Sequence, residues 1–222
     1  MVPDPAGGSL RERKKARTRA ALIEVSQRRF ARTGYAATTL DEICAEVEVR
    51  PQTLLRYFPS KAHLAMAPWF DWLDVLRAQL VDPRRRRSTI DIWRDFLTAE
   101  CHALTESGSE VVGNMITGMR AAAWAERDPA LVAMFSDLEH QYQQLLAAAL
   151  ATDRDAPTDD LHSLLVAAML VVGRRAVFGR WVAGGDEPSA PSLVEDQLAV
   201  VDYAVTSLPR RGARRLLAIA PR

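Results

Sequence analysis

Apolar positions in the first sixty residues recur at helical spacing. Leu22, Val25, Ser26 and Phe30 fall at i, i+3, i+4 and i+8, one face of a helix predicted from about Leu10 to Thr33. Gly34 follows, a residue suited to the left-handed position after a helix end. A second helix is predicted to begin at Thr39. Thr39 and Glu42 form a T-x-x-E capping box, and Leu40, Ile43 and Val47 supply the apolar face. A third starts around Arg50 with Pro51 at its first position, where a missing N–H costs nothing, and ends at Phe58-Pro59. Ser60 then caps a fourth helix reaching toward Leu80, which Pro68 is expected to bend or split.

Beyond Asp82-Pro83 and the run Arg84–Arg87, the pattern predicts five more helices, about 88–106, 109–126, 128–151, 159–183 and 191–208. No alternating run bounded by Asn-Gly or Asp-Gly suggests a hairpin, and no repeat appears. The expected fold is therefore all-α, with about nine helices. Residues 1–9 are Pro/Gly-rich and read as a disordered N-terminus, 10–62 as a trihelical head, 63–208 as a helical body and 209–222 as a basic tail.

Hydrophobic residues make up 48% of the chain, enough for a packed core and against disorder. The best uninterrupted apolar run, Leu164 to Gly173, falls short of the roughly 18 residues a bilayer requires, and no secretory signal is apparent. The only cysteines, Cys44 and Cys101, lack metal-ligand or redox spacing, so a reduced, cytoplasmic setting is the simplest reading. A net charge of +1 conceals a division along the chain: residues 1–62 carry +5, residues 63–208 carry −9, and the tail +5. A basic head on an acidic body points to a polyanion met by the head alone.

Two short helices joined by a tight link behind a longer basic helix make a helix-turn-helix. The N-terminal end of the third helix faces base edges while its other side, Leu54 and Phe58, holds it to the first two. Gln52 can bond bidentately to adenine. Thr53 offers a hydroxyl to a base or phosphate, or a methyl to thymine, and Arg50 can take guanine or a phosphate. Tyr57 presents a hydroxyl to the backbone. Thr39 and Lys61, at the starts of the second and fourth helices, lie where free N–H groups favour a phosphate. The extension Arg11, Arg13, Lys14, Lys15, Arg17 and Arg19 can meet phosphates or an adjacent minor groove. Against each stands a plainer role: Tyr57 and Phe58 as core, Thr39 as a cap, Gln52 as a solvated side chain.

The stretch Gly34-Tyr35-Ala36-Ala37-Thr38-Thr39-Leu40-Asp41-Glu42-Ile43, then Val49, then Thr53-Leu54-Leu55-Arg56-Tyr57-Phe58-Pro59-Ser60-Lys61 with Leu64, resembles the DNA-binding domain of TetR-type regulators. The likeness spans about residues 10–65. It implies an all-α homodimer, usually a repressor, released from DNA when a small ligand enters the C-terminal body. It also implies DNA contacts at Thr39, Arg50, Gln52, Thr53, Tyr57 and Lys61. Four positions depart from that pattern. Glu48 stands where the turn commonly has glycine, Arg50 where a serine caps, Leu55 where an aromatic is usual, and Arg29 at a normally apolar site.

The body shows no H-E-x-x-H, Gly-x-Ser-x-Gly or phosphate-binding glycine loop, and His63, His102, His140 and His162 lie far apart, so neither an enzyme nor a bound cofactor or metal is expected. Trp93, Phe96, Met115, Met119, Trp124, Phe135, Tyr142, Met169 and Phe178 are candidates to line a pocket for an apolar effector, most such residues otherwise being core. The segment from Leu161 to Gly173 is apolar nearly all round, and with Leu193–Leu208 it is expected to form a four-helix homodimer interface. Arg84–Arg87 reads as a solvated loop rather than a second DNA-binding element. An activator or dual regulator with the same head, or a helical ligand-binding or adaptor protein without DNA binding, are the alternatives.

Overall fold

The computed structural model describes residues 9–105, 128–183 and 190–207. Among them are eight α-helices and no strand: α1 (Leu10–Thr33), α2 (Leu40–Val47), α3 (Pro51–Tyr57), α4 (Lys61–Val81), α5 (Thr89–Thr105), α6 (Pro129–Asp153), α7 (Leu161–Ala183) and α8 (Ala190–Ser207). The fold is all-helical, as the hydrophobic periodicity predicts. The helix expected over 109–126, the N-terminal residues before Ser9 and the basic tail lie outside the described residues. Ser9, expected within the disordered segment, instead caps α1. Its backbone N–H donates to Glu12 Oε2 at 2.6 Å and its hydroxyl accepts from the Glu12 N–H at 3.3 Å.

The described residues fall into two compact units. The first comprises residues 9–68 with 128–134, the second 69–105 with 135–183 and 190–207. The division falls after Pro68 rather than after Ala62, because the first turns of α4 belong with the head. Leu64, Met66 and Ala67 are buried, and the Ala65 carbonyl accepts from Gln27 Nε2 of α1 at 3.0 Å. Pro68 lies inside α4, which continues through it as one helix. The proline removes one i→i−4 bond, but the flanking turns still bury Leu64, Leu73 and Leu76, and that burial outweighs the loss.

In the second unit α8 packs against both α5 and α7. Gly173 makes one of these approaches possible: a Cβ built there would stand 2.2 Å from Val200 Cγ1. The small residue is thus used within the chain, by α8 against α7. The loop 82–88 is held by ion pairs. Arg85 reaches Asp153 at 2.7 Å and Arg87 reaches Asp95 at 2.6 Å. Asp153, at the end of α6, also accepts the Thr89 N–H at 2.6 Å and so caps α5 from a distance of 64 residues along the chain. The segment is a loop, as expected, yet the Arg85 side chain is only 10% exposed and is a structural tie rather than a solvated charge.

Helix α7 departs from the sequence expectation about membranes. Leu161–Trp181 is long and apolar enough to cross a bilayer by length and composition, with a mean hydropathy of 1.6. A count of uninterrupted apolar residues misses this because Arg174 and Arg175 break the run. The same arginine argues for a protein environment. Arg174 is buried and paired with Glu100 of α5, while Val172, Leu164 and Leu165 on the outer side stay exposed.

Candidate DNA-binding and ligand-binding sites

The head is assembled around the α1–α2 loop. The Gly34 N–H donates back to the Phe30 carbonyl at 3.0 Å, and Gly34 takes φ 88°, which a side chain would disfavour. Thr38 then closes the loop with its hydroxyl on the Gly34 carbonyl at 2.8 Å. Tyr35 turns inward against Phe30, ring centroids 5.3 Å apart, and burial together with Asp128 pushes its hydroxyl up to about 12. Arg29, the charged residue at a normally apolar position, joins Arg28 in clamping Glu46 of α2, at 2.6 and 2.5 Å. These two bonds hold the Glu46 carboxyl below the usual carboxylate range.

The capping box on α2 is formed in full. The Thr39 N–H donates to Glu42 Oε2 at 2.8 Å, its hydroxyl donates to the same oxygen at 2.9 Å, and the Glu42 N–H returns to the hydroxyl at 3.3 Å. Both donors of Thr39 are therefore engaged by its own helix. In the turn that follows, Glu48 adopts the left-handed conformation, φ 55° and ψ 41°, the geometry for which glycine is usual. Here a glutamate accepts it, and the Val49 N–H closes the turn onto the Cys44 carbonyl at 3.0 Å.

Helix α3 has two distinct sides. Leu54 is fully buried and Phe58, just past its end, is 4% exposed, while Arg50, Gln52 and Arg56 face solvent and Thr53 and Tyr57 are half-buried. The Arg50 side chain makes no capping bond and its carbonyl receives the Thr53 and Leu54 N–H groups, so the guanidinium is not consumed by the helix start. Leu55, at the site where an aromatic was expected, is 47% exposed and leaves the core unaffected. The Arg56 guanidinium lies 5.8 Å from the Tyr57 ring centroid, and that of Arg19 on α1 lies 5.5 Å from Phe58. From Arg19 back to Leu10 the helix is largely exposed and carries Arg11, Arg13, Lys14, Lys15 and Arg17. An α-helix is about 10–12 Å across and a minor groove about 6 Å wide, so this helical extension suits phosphates and not the groove floor.

Lys61 is placed differently from the sequence expectation. Its ammonium turns to the α1–α2 loop and donates to the carbonyls of Tyr35 at 2.8 Å, Thr38 at 3.0 Å and Ala36 at 3.4 Å, 4.4 Å from the Tyr35 ring centroid. Its three protons are all engaged within the head.

In the body, the structure brings together part of the predicted pocket set. Trp93 and Phe96 stack at 5.2 Å, Tyr142 meets them at 6.1 and 6.0 Å, and Trp72 meets Phe96 edge-on at 5.7 Å. Phe178 joins through Arg174, whose guanidinium lies 5.2 Å from the ring centroids of both Phe178 and Tyr142. Phe135 stands apart against Trp69. Met169 is elsewhere: it lines a surface groove of about 640 Å³ between α7 and α8, with Val172, Gly173, Val200 and Tyr203. Its helix register directs it to the outer face of α7. Met115, Met119 and Trp124 lie outside the described residues.

The sequence reading missed the polar centre of the body. Arg174 Nε donates to Glu100 Oε2 at 2.9 Å and a second guanidinium nitrogen donates to Glu100 Oε1. Glu100 is fully buried; burial works against the arginine's charge, but the facing carboxylate outweighs it and raises the pKa. Gln197 Nε2 donates to the Arg174 carbonyl at 3.2 Å. Seventy-four residues separate Glu100 from Arg174, a pairing no local pattern announces.

A trihelical unit with a buried scaffold and a polar, outward first turn on its third helix defines a helix-turn-helix DNA-binding protein. Comparison with known proteins narrows the class. Residues 22–67 match the family model of bacterial regulatory proteins of the tetR family. Over 186 residues, 82% of this chain and 80% of the relative, the sequence is 27% identical to the HTH-type transcriptional regulator TcmR of Streptomyces glaucescens. Solved structures repeat the fold. A TetR-family regulator of Syntrophomonas wolfei superposes with a TM-score of 0.66 at 13% identity, over 89% of this chain and 100% of that one. FadR of Thermus thermophilus, a TetR-family repressor in complex with lauroyl-CoA, gives 0.60 at 17% identity, over 87% and 96%. Residues 22–67 thus form a helix-turn-helix of the tetR-family type, and the chain is similar over most of its length to a TetR-type HTH transcriptional regulator and shares the all-helical fold of such proteins.

Proposed function

We propose that this regulator is a homodimeric repressor, released from a (pseudo)palindromic operator when a small, largely hydrophobic effector enters its helical body. The observation that carries the reading is the division of α3. Leu54 and Phe58 anchor it while Arg50 and Gln52 stand in solvent on its first turn and Thr53 beside them is half-buried. In this reading Gln52 and Thr53 meet base edges, Arg50 a guanine or phosphate, and Tyr57 the backbone. Thr39 and Lys61 contribute chiefly by fixing the α1–α2 loop and the starts of α2 and α4, so any phosphate near them is met by a preorganised backbone.

Dimerisation through α7 and α8 is supported by what those helices leave uncovered. Val172 is 56% exposed and Tyr203 68%, flanking the apolar groove described above. An isologous pairing there would cover both sets at once. Two heads are needed because successive major grooves lie about 34–36 Å apart, and a modest change in head separation then costs both half-sites. Pro68, where the two units divide along α4, is the point at which α4 lacks a backbone bond. For the effector, the support is the aromatic cluster of the body and the family resemblance, FadR having been solved with lauroyl-CoA and SmeT with triclosan. Acting on chromosomal DNA, such a protein works in the cytoplasm.

Selection from a pool of randomised duplexes by the full-length protein tests this function. An enriched inverted repeat with half-sites about one helical turn apart, or a multiple of it, is the expected result. Enrichment of a single unrepeated site, or of none, would contradict it.

A further inference from the structure

One large apolar side chain of the head stands in solvent on the side of α3 turned away from the core. Leu55 is 47% exposed, and among the described residues of α2 and α3 no other large hydrophobic is left so open. At about 100° per residue, Gln52, Leu55 and Arg56 (i, i+3, i+4) share one side of the helix, and all three are exposed. The opposite side holds Leu54 and Phe58, both buried, with Thr53 and Tyr57 half-buried on the flank between. Helix register therefore keeps Leu55 out of the core, whose place at this level is already filled by Leu54.

We propose that Leu55 is a specificity-determining residue, reading the C5-methyl group of a thymine in the major groove beside the base that Gln52 bonds. The inference rests on the reading of α3 as the helix that enters the groove, and it names a base which that reading leaves open. An isobutyl side chain can neither donate nor accept a hydrogen bond. Of the groups on the major-groove edges, the thymine methyl alone is apolar. The amino groups of cytosine and adenine, and the ring and carbonyl acceptors of the purines, would lose water to Leu55 and gain no partner. The leucine thus favours thymine at one position and disfavours the alternatives there. Gln52 and Leu55 stand one turn apart, about 4.5 Å along the helix, against about 3.4 Å between successive bases. The thymine therefore lies within one or two base pairs of the base that Gln52 bonds. A duplex suits this face better than an apolar protein surface. The head carries +5, and an apolar partner over Leu55 would strip water from Gln52 and Arg56 beside it without replacing it.

The test replaces thymine by deoxyuridine, one position at a time, in the duplex enriched by the full-length protein. This substitution removes the methyl and keeps every base-pairing group. Affinity is read by fluorescence anisotropy. At one thymine in each half-site, loss of the methyl is expected to weaken binding about fourfold, and about fourteenfold when both are replaced. Leu55→Ala should bind the thymine and deoxyuridine duplexes equally, whereas Leu55→Met, which keeps an apolar contact, should retain the preference. Thr53→Ser removes the methyl on the neighbouring flank and should leave the preference intact. A scan in which no deoxyuridine weakens wild-type binding would overturn the proposal. So would a preference that survives in Leu55→Ala or disappears in Thr53→Ser. The scan uses the wild-type chain, so its outcome does not depend on how a variant folds. Failure to retain any duplex would overturn both this proposal and the function on which it rests; methyl-blind binding to a selected site would overturn this proposal alone.

Discussion

Lys61 Nζ donates to the Tyr35 carbonyl at 2.8 Å while lying 4.4 Å from the centroid of that residue's ring, joining the start of α4 to the α1–α2 loop across 26 residues. An ammonium held this way stabilises the head and has no free proton for a phosphate. Lys61→Met is therefore expected to lower the melting temperature while leaving the salt dependence of operator binding parallel to the wild type. Measured as log affinity against log salt, a slope shallower by about 0.9 would instead assign Lys61 to a phosphate.

Gln52 has the opposite character, exposed and absent from the core. Gln52→Ala should reduce discrimination between the selected operator and single-base variants by about 1–3 kcal/mol, with the salt slope and melting temperature unchanged. Competition binding against a panel of substituted duplexes checks this. A uniform loss across all sequences would mean that Gln52 does not read a base.

Glu48 occupies left-handed backbone at φ 55°. Glu48→Gly should stabilise the protein by up to about 1 kcal/mol, because glycine adopts that conformation without the Cβ penalty, a gain offset in part by the freer unfolded chain. Chemical denaturation of both proteins gives the difference. A clear destabilisation would show that the glutamate side chain compensates for its own strain.

Gly173 admits no side chain beside Val200. Gly173→Ala is expected to cost about 1–3 kcal/mol through overpacking, and Val200→Ala in the same chain should recover most of it. Equal stability of Gly173→Ala and wild type would mean that Val200 gives way to the added Cβ at no cost, and that α7 and α8 are less tightly apposed at Gly173 than the backbone positions imply.

The pH response of the head follows from its carboxylates. Glu42 is held low by the Thr39 N–H and hydroxyl, and Glu46 by Arg28 and Arg29. Folded values below the unfolded one, about 4.3, mean a contribution present above that pH and lost as pH falls through the lowered folded values. Acid unfolding followed by circular dichroism should begin at higher pH, relative to wild type, in any variant that weakens these contacts without removing the carboxylates, such as Arg29→Leu. An unchanged acid midpoint would remove the clamp from the head's stability.

What the sequence disclosed, and what it withheld, follows the range of each interaction. The capping box of Thr39 and Glu42, Pro51 at the start of α3 and the inward Leu22, Val25, Ser26 and Phe30 are local, separated by one or two turns, and were legible as spacing. The Lys61 staple, the Arg29–Glu46 clamp and the Glu100–Arg174 pair join residues 17 to 74 positions apart, and only the folded chain reveals them. Aromatic candidates could be gathered from composition, but not sorted. Trp93, Phe96 and Tyr142 meet in the body's interior, whereas Met169 lies in the groove outside α7, a distinction set by helix rotation that neighbouring apolar residues on every side of α7 obscure.

In the proposed function the first turn of α3 enters duplex grooves under electrostatic attraction from the basic head. Fluorescence anisotropy of the effector-free, full-length protein on the duplex upstream of its own gene, titrated at several salt concentrations, tests this most directly. Saturable binding is expected, with log affinity falling linearly against log salt by about 0.9 for each phosphate neutralised. Absence of binding at low salt, or an affinity indifferent to salt, would contradict it.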